Sequence, residues 1–336
     1  MESLHFFKEV IEQLLTSKTE KEEILAANAL IESYSTLFKI LDIKEFYSNI
    51  NSVTIDGGVA LSSQHAIDCL QDVLRTTRFI KGVYRGILDL QNRFPDTLLQ
   101  IVYAGSGPAA PLILPLLHLF DPNELSVTIL DVNKTSLLSV RAIIRYMGVE
   151  NYFGNILLQD AVSYIHPERI PLHMIVSETM DKGLTVEPQV RITQNLAYQL
   201  HPKGIFIPET ISLIQGFSFF SKQYFFDIFQ ERLPEERNVI TMGDTSLFFI
   251  DKNISEAPIF TFKSDHISKP FPFEDFPDVV VYAEVHIYKG LLLAKGDSLL
   301  SNLYCIASLH SIKANSFRLN YTTNGIPSWN LEEIIS

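Results

Sequence analysis

Three stretches of the chain carry residues whose types and spacing can do chemistry. The first is Ile101-Val102-Tyr103-Ala104-Gly105-Ser106-Gly107-Pro108-Ala109-Ala110. An apolar strand that ends in Gly-Ser-Gly and leads into a helix lets a ligand approach the main chain closely. Asp131 closes the next apolar run, 24 residues after Gly107, and a carboxylate there can accept both hydroxyls of an adenosine ribose. Asp160, with Ala161 beside it, follows the third strand and could approach the adenine. Two ligands suit this pattern, a dinucleotide and S-adenosylmethionine; a tight turn with no ligand is the plain alternative. Gly105, Gly107 and Ala110 formally satisfy G-x-G-x-x-G/A. Pro108, however, removes an N–H where a pyrophosphate needs donors, which favours the phosphate-free sulfonium compound.

The second stretch is Asp72-Val73-Leu74-Arg75-Thr76, on a helix before the first strand. Arg75 there can hold a carboxylate with two parallel hydrogen bonds, although an arginine taken alone is more often a surface residue. The third is Ser177-Glu178-Thr179-Met180, with Glu187 nine residues after Glu178. Two carboxylates turned into one pocket can clamp a planar guanidinium and draw its charge away from one nitrogen. The competing reading is a solvated Glu178 and a Glu187 that favours a helix N-terminus.

The elements that must position these residues follow from periodicity. Leu4, Phe7, Val10, Ile11 and Leu14 fall at helical spacing, and a second helical run covers 24–41, after a Lys/Glu stretch read as a solvated turn and helix start. Asp56-Gly57-Gly58 marks a turn, and the pattern predicts one long helix over 63–90. From there strand and helix alternate: strands at 98–104, 127–130, 155–158 and 173–176, helices at 111–120, 134–147 and 189–200, the last ended by Pro202 and Gly204. That alternation means a mostly parallel sheet. From about Gly204, short β runs at 206–213, 246–250, 279–288, 303–309 and 316–321 imply an antiparallel β domain. The expected division is a helical segment 1–55, a ligand-binding α/β domain 56–208 and a β-rich acceptor-side domain 209–336.

Composition bounds the partners. With 27 basic and 39 acidic residues among 336, the net charge of -12 argues against coating nucleic acid or an anionic membrane. The two cysteines, Cys69 and Cys305, form no C-x-x-C and point to a reducing compartment. The opening Met1-Glu2-Ser3 has an acid where a secretory signal carries basic residues, and no apolar run reaches the ~18 residues of a membrane span. The expectation is a soluble cytoplasmic chain. No H-E-x-x-H, G-x-S-x-G or Walker loop occurs, and the nine histidines show no metal spacing, so no metal site is expected.

Taken in order, these motifs resemble those of the protein arginine methyltransferases. Asp72, Arg75 and Thr76 match that family's D-x-x-R-T, Gly105 and Gly107 its glycine loop, and Asp131 its ribose-binding acid. Ser177, Glu178, Met180 and Glu187 match its double-glutamate loop; Leu200, Pro202, Gly204 and Pro208 match its L-x-P-x-G-x-x-x-P stretch. The similarity covers residues 55–215. It implies an α/β fold: N-terminal helices, a Rossmann-like S-adenosylmethionine-dependent methyltransferase domain and a C-terminal antiparallel β-barrel-like domain. It also implies a donor, S-adenosylmethionine, held by Arg75, Gly105, Ser106, Gly107, Asp131, Asp160 and Ala161, with Glu178 and Glu187 catalytic. The acceptor is then a guanidino nitrogen of free arginine, a small guanidino compound or protein arginine. Alternatives are a small-molecule O- or N-methyltransferase of another substrate class, or a non-catalytic S-adenosylmethionine-binding module. The chain departs from the family pattern at Tyr103 and Ala109, in place of an acid and a third glycine, and at Lys182, in place of an aromatic. The family's Thr-His-Trp loop has no counterpart; the nearest stretch is Asp297-Ser298-Leu299-Leu300. A homodimer stays open, with 221–238 the only stretch in the place of a dimerisation arm.

Overall fold

The computed structural model describes residues 2–42, 50–223, 239–269 and 277–335. Two helices lead, α1 (Glu2–Thr16) and α2 (Glu20–Leu41). Thr19 starts α2 with a capping box: its hydroxyl accepts from Glu22 N at 3.3 Å, and the Glu22 carboxylate accepts from Thr19 N at 3.1 Å. The Lys/Glu stretch is therefore the predicted helix start, but it is not wholly solvated. Glu23 pairs with Lys81 at 2.6 Å and Arg78 at 3.6 Å. By length and composition α2 could cross a membrane, which corrects the expectation of no such run. In this fold its stripe of Ala27, Leu30, Tyr34, Leu37 and Phe38 is buried in the core.

Strands β1 (Val53–Ile55) and β2 (Gly58–Ala60) form a hairpin across the Asp56-Gly57 turn. The single helix expected over 63–90 is instead α3 (Ser63–Asp68), a 3-10 turn at Cys69–Gln71 and α4 (Val73–Arg93). Asp72 makes the break: it leaves the helical region (φ -76, ψ 83) and its side chain caps α4 by accepting from Arg75 N at 3.4 Å. Hydrophobic periodicity runs through such a cap unseen.

The parallel sheet comprises β3 (Leu99–Ala104), β4 (Leu125–Asp131), β5 (Phe153–Leu158), β6 (Leu172–Ser177) and β7 (Leu200–Ile207), in the order β5-β4-β3-β6-β7. Every neighbouring pair is parallel, as the alternation predicts. Helix α5 (Lys134–Met147) spans the predicted residues, since Asn133 caps its start and Gly148 (φ 65) ends it. Two further helix expectations fail. Residues 111–120 give only a 3-10 turn at Leu114–Leu119, because Pro111 and Pro115 lack the N–H that an α-helix needs. Helix α6 (Gln189–Ala197) stops early, and Leu200 already belongs to β7.

The remaining strands are antiparallel. One sheet has the order β13-β12-β8-β9, with β14 also on β12; here β8 is Thr210–Ser218, β9 Met242–Asp251, β12 Asp278–Tyr288, β13 Leu291–Leu293 and β14 Tyr304–Ser308. The other joins β10 (Thr261–Lys263), β11 (Ile267–Ser268) and β16 (Ser328–Ile334) to β15 (Ser316–Thr322). The run expected at 206–213 is split between β7 and β8 at Pro208-Glu209, where the chain leaves one sheet for the other. Of the stretch proposed as an arm, residues 224–238 lie outside the described residues. Helix α4 contacts both β6 and β7 of the parallel sheet and β12 and β13 of the antiparallel one. A Cβ on Gly82 would stand 2.5 Å from Ile287 Cγ2, and one on Gly86 2.6 Å from Met174 Cε. The two glycines thus let α4 lie close to both sheets, and one continuous apolar core runs from Phe7 to Trp329.

Candidate functional site

The chain order of the parallel sheet reverses at β3 and β6, which opens a crevice at the carboxyl ends of the strands. A cavity of about 620 Å³ occupies it, and all nine residues given a ligand-binding or catalytic part from the sequence line it: Arg75, Gly105, Ser106, Gly107, Asp131, Asp160, Ala161, Glu178 and Glu187.

On one side the glycine turn follows β3. Gly105 has φ 70, and a Cβ there would stand 2.3 Å from Thr179 Cγ2, so the turn can lie against the glutamate loop only as glycine. Gly107 N donates to Asp131 Oδ2 at 2.9 Å, and Asn133 N donates to Oδ1 at 2.7 Å. The Asp131 carboxylate is thereby fixed in orientation while each oxygen keeps acceptor capacity. Burial pushes Asp131 up to about 6, against those main-chain donors. Asp160 accepts from Val162 N at 2.9 Å and is also raised by burial.

On the other side Arg75, in the first turn of α4, pairs with Glu178 at 3.1 Å, their side chains only 10% and 7% exposed. The Arg75 Nε has no partner. Burial works against the Arg75 charge, but Glu178, Cys69 and Asp72 outweigh it and raise its pKa; burial raises Glu178, and Arg75 opposes the rise. Glu187 is pushed well above the usual carboxylate range, first by burial, then by Glu178 and Asp181, with Arg75 opposing. Glu187 is half-buried by exposed area yet lines the cavity, set among protein atoms that desolvate it. Of the two glutamates, the Arg75 guanidinium therefore answers only Glu178. Nor does Glu187 cap α6: the N-cap is Pro188, without a side-chain cap bond.

Several residues of the cavity were not legible as such. Cys69, Leu299 and Leu300 line it; burial raises the Cys69 thiol to about 11, which keeps it protonated. The stretch Asp297-Ser298-Leu299-Leu300, which matched no family loop, does reach the site. Ser298 Oγ and Leu299 N donate to the buried Asp72 at 2.7 and 2.9 Å, and Arg78 pairs with Asp297 at 2.7 Å. Asp72 is thus the joint between α4 and the cavity wall at Leu299 and Leu300. The signal was the Ser-flanked turn itself, but its partner lies 226 residues away. Lys182, at the departure from the family's aromatic, pairs with Asp181 at 3.7 Å on the cavity wall. Among the described residues no group of acidic, His or Cys side chains could hold a metal ion.

No protein-family model and no curated protein matches this chain. Solved structures do. Arabidopsis thaliana protein arginine methyltransferase 10 is similar with a TM-score of 0.53 at 12% identity, over 77% of this chain and 86% of that one. The Trypanosoma brucei PRMT1 enzyme–prozyme heterotetrameric complex with AdoHcy gives a TM-score of 0.48 at 12% identity, over the same shares of the two chains. The Arabidopsis likeness is one of fold. It shows a Rossmann-like parallel sheet joined to an antiparallel β half in the manner of the protein arginine methyltransferases, in agreement with the resemblance read from the motifs.

Proposed function

We propose that this chain is an S-adenosylmethionine-dependent N-methyltransferase acting on a guanidino nitrogen of free arginine, a small guanidino compound or protein arginine. One observation carries the reading: Glu178 and Glu187 line the same cavity, and Arg75 answers only one of them. A second guanidinium is the cation that the site lacks.

The residues present fit the donor. The unpartnered Arg75 Nε is a free donor for a carboxylate, Asp131 keeps acceptor capacity for ribose hydroxyls, and the bare main chain at Gly105 and Gly107 leaves room for close approach. Bound there, S-adenosylmethionine supplies a methyl carbon on a sulfonium, a reactive electrophile that needs no metal. The chain's own work is positioning and exclusion of water. Glu178 and Glu187 pair with the guanidinium, hold its charge on their side, and leave the far nitrogen richer in electrons for attack. The apolar wall of Leu299 and Leu300 shields the charged groups from solvent.

Two measurements test this. Calorimetry should give heat for S-adenosylhomocysteine and none for NAD; tight NAD binding, or no heat for the sulfur nucleoside, overturns the donor. Transfer of labelled methyl groups should then be seen to free arginine, arginine peptides or components of a cell extract. Donor binding with no transfer to any of them leaves a binding module.

The Asp131 carboxylate makes a further expectation. Hydrogen bonds from ribose hydroxyls require it ionised, and its pKa is pushed up to about 6. S-adenosylhomocysteine affinity should therefore be full above that value and fall below it, levelling near the affinity of an uncharged residue at this position. Asp131→Asn should flatten the profile and weaken binding by a few kcal/mol at most, each charged hydrogen bond being worth ~1.5–3 kcal/mol. Calorimetry across pH on both proteins checks it.

A further inference from the structure

The only tryptophan of the chain, Trp329, sits on β16, 142 residues after Glu187, and the methyl-transfer reading gives it no part. Its indole Nε1 donates to Gly183 O at 2.8 Å, and the Tyr321 hydroxyl on β15 donates to Leu184 O at 2.7 Å. From the turn between the two strands, Pro327 O accepts from Val186 N at 3.1 Å. One hairpin thus binds three of the four residues just before Glu187. Those three share an unusual backbone: Gly183 has φ 64, Leu184 55 and Val186 64. Left-handed φ is unfavourable for leucine and more so for β-branched valine, and it persists only where the surroundings over-determine it. The φ of Val186 directly precedes Glu187 and so sets the direction in which that residue leaves the loop.

The rings behind these donors are fixed. Trp329 lies 5.0 Å from Tyr321 and 5.8 Å from Phe248, centroid to centroid, in a cluster that includes Phe262. The aromatic bodies fill the β half while their polar tips point at the loop. Gly183 itself lies against this side: a Cβ there would stand 3.1 Å from Tyr304 Cβ and 3.2 Å from Val281 Cγ2.

We propose that the β15–β16 hairpin is the template of the glutamate loop, with Trp329 and Tyr321 as positioning residues that set where the Glu187 carboxylate stands in the cavity. The inference rests on the methyl-transfer reading for its turnover arm alone.

The test uses the full chain and three variants. Trp329→Phe and Tyr321→Phe keep an aromatic ring and remove the donor; Phe262→Leu erodes the cluster without touching the loop's hydrogen bonds. Amide hydrogen exchange at 183–187 should quicken ~10-fold or more in the first two, the scale of one lost hydrogen bond. Their S-adenosylhomocysteine Kd should stay within about 2-fold of the parent value, because the cofactor-side residues keep their bonds. Turnover on free arginine or an arginine peptide should fall ~10-fold or more with the donor KM unchanged, as expected for a misplaced carboxylate. Phe262→Leu should lower the denaturation midpoint and leave loop exchange and turnover as they are. Unchanged exchange at 183–187 in both donor-deleted variants overturns the template, as does the same loop response in Phe262→Leu, which would make the cluster mere filling. Failure of the unmodified protein to methylate either acceptor counts against the methyl-transfer reading, while the exchange arm still decides the template.

Discussion

Glu178→Gln and Glu187→Gln should each retain S-adenosylhomocysteine binding and lose ~10²-fold or more of turnover, the scale of removing a positioned acid–base group. A guanidinium has a pKa above ~12 and stays protonated, so its nitrogens are poor nucleophiles until its charge is drawn to one side. Glutamine keeps the size and hydrogen-bonding reach of glutamate but not its charge. The two variants should differ in stability. Glu178→Gln removes the partner of the buried Arg75. Glu187→Gln replaces a carboxyl already pushed well above its usual range by burial and by Glu178, so the folded protein should be no less stable, and more stable at neutral and higher pH. The sign follows from linkage: a carboxyl whose folded pKa is raised costs stability progressively as pH rises from its unfolded value through its folded one, and glutamine removes that cost. Steady-state rates on any accepted guanidino compound, with calorimetry for the donor, check the pair. Near-normal turnover in both variants would end the guanidino reading.

Arg75→Met should cost about 3–5 kcal/mol of stability near neutral pH, the range for breaking a buried ion pair by deleting one partner, and should abolish tight donor binding. The pair is 3.1 Å apart with side chains 10% and 7% exposed, so solvent cannot take over from the lost guanidinium. Without Arg75, which opposes the burial-driven rise at both Glu178 and Glu187, the two carboxyls are raised further. They then favour the proton-bound form in the folded state. The deficit should accordingly be largest at high pH and narrow as pH falls toward the ordinary glutamate value of ~4.3, where a bound proton removes the uncompensated charge. Urea melts of variant and parent protein over a pH series measure the gap. A gap that does not change with pH would show that lost packing, not an unpaired carboxylate, is the cause.

Much of the cavity lining was legible because it is local. A glycine turn after a strand, an acid at the end of the next strand and an arginine in a helix's first turn are set by backbone geometry over a few residues. Parallel pairing then brings those strand ends side by side. Strand–helix alternation likewise predicted the parallel sheet, and Asn133 with Gly148 bounded α5 where the pattern placed it. Expectations failed where a local rule gave way to one the period does not register. Pro111 and Pro115 removed a helix, and Asp72 broke another by capping. The short strands β10, β11 and β13, of three, two and three residues, carry too little alternation to be seen.

The sequence by itself determined which residues gather at the carboxyl ends of the strands, since that placement depends on residue type and on spacing along short stretches of chain. Only the tertiary structure decided the balance between them. That Arg75 answers Glu178 and leaves Glu187 without a cation depends on burial and on α4 lying against the end of β6. That Asp72 is tied to Ser298 and Leu299, and that Trp329 and Tyr321 hold Gly183 and Leu184, depends on contacts between residues 226, 227, 146 and 137 positions apart. A serine, a tryptophan or a left-handed valine carries no mark of such a partner in its own neighbourhood. The pairing comes from packing the β half against α4 and the glutamate loop, an energy shared over a whole core.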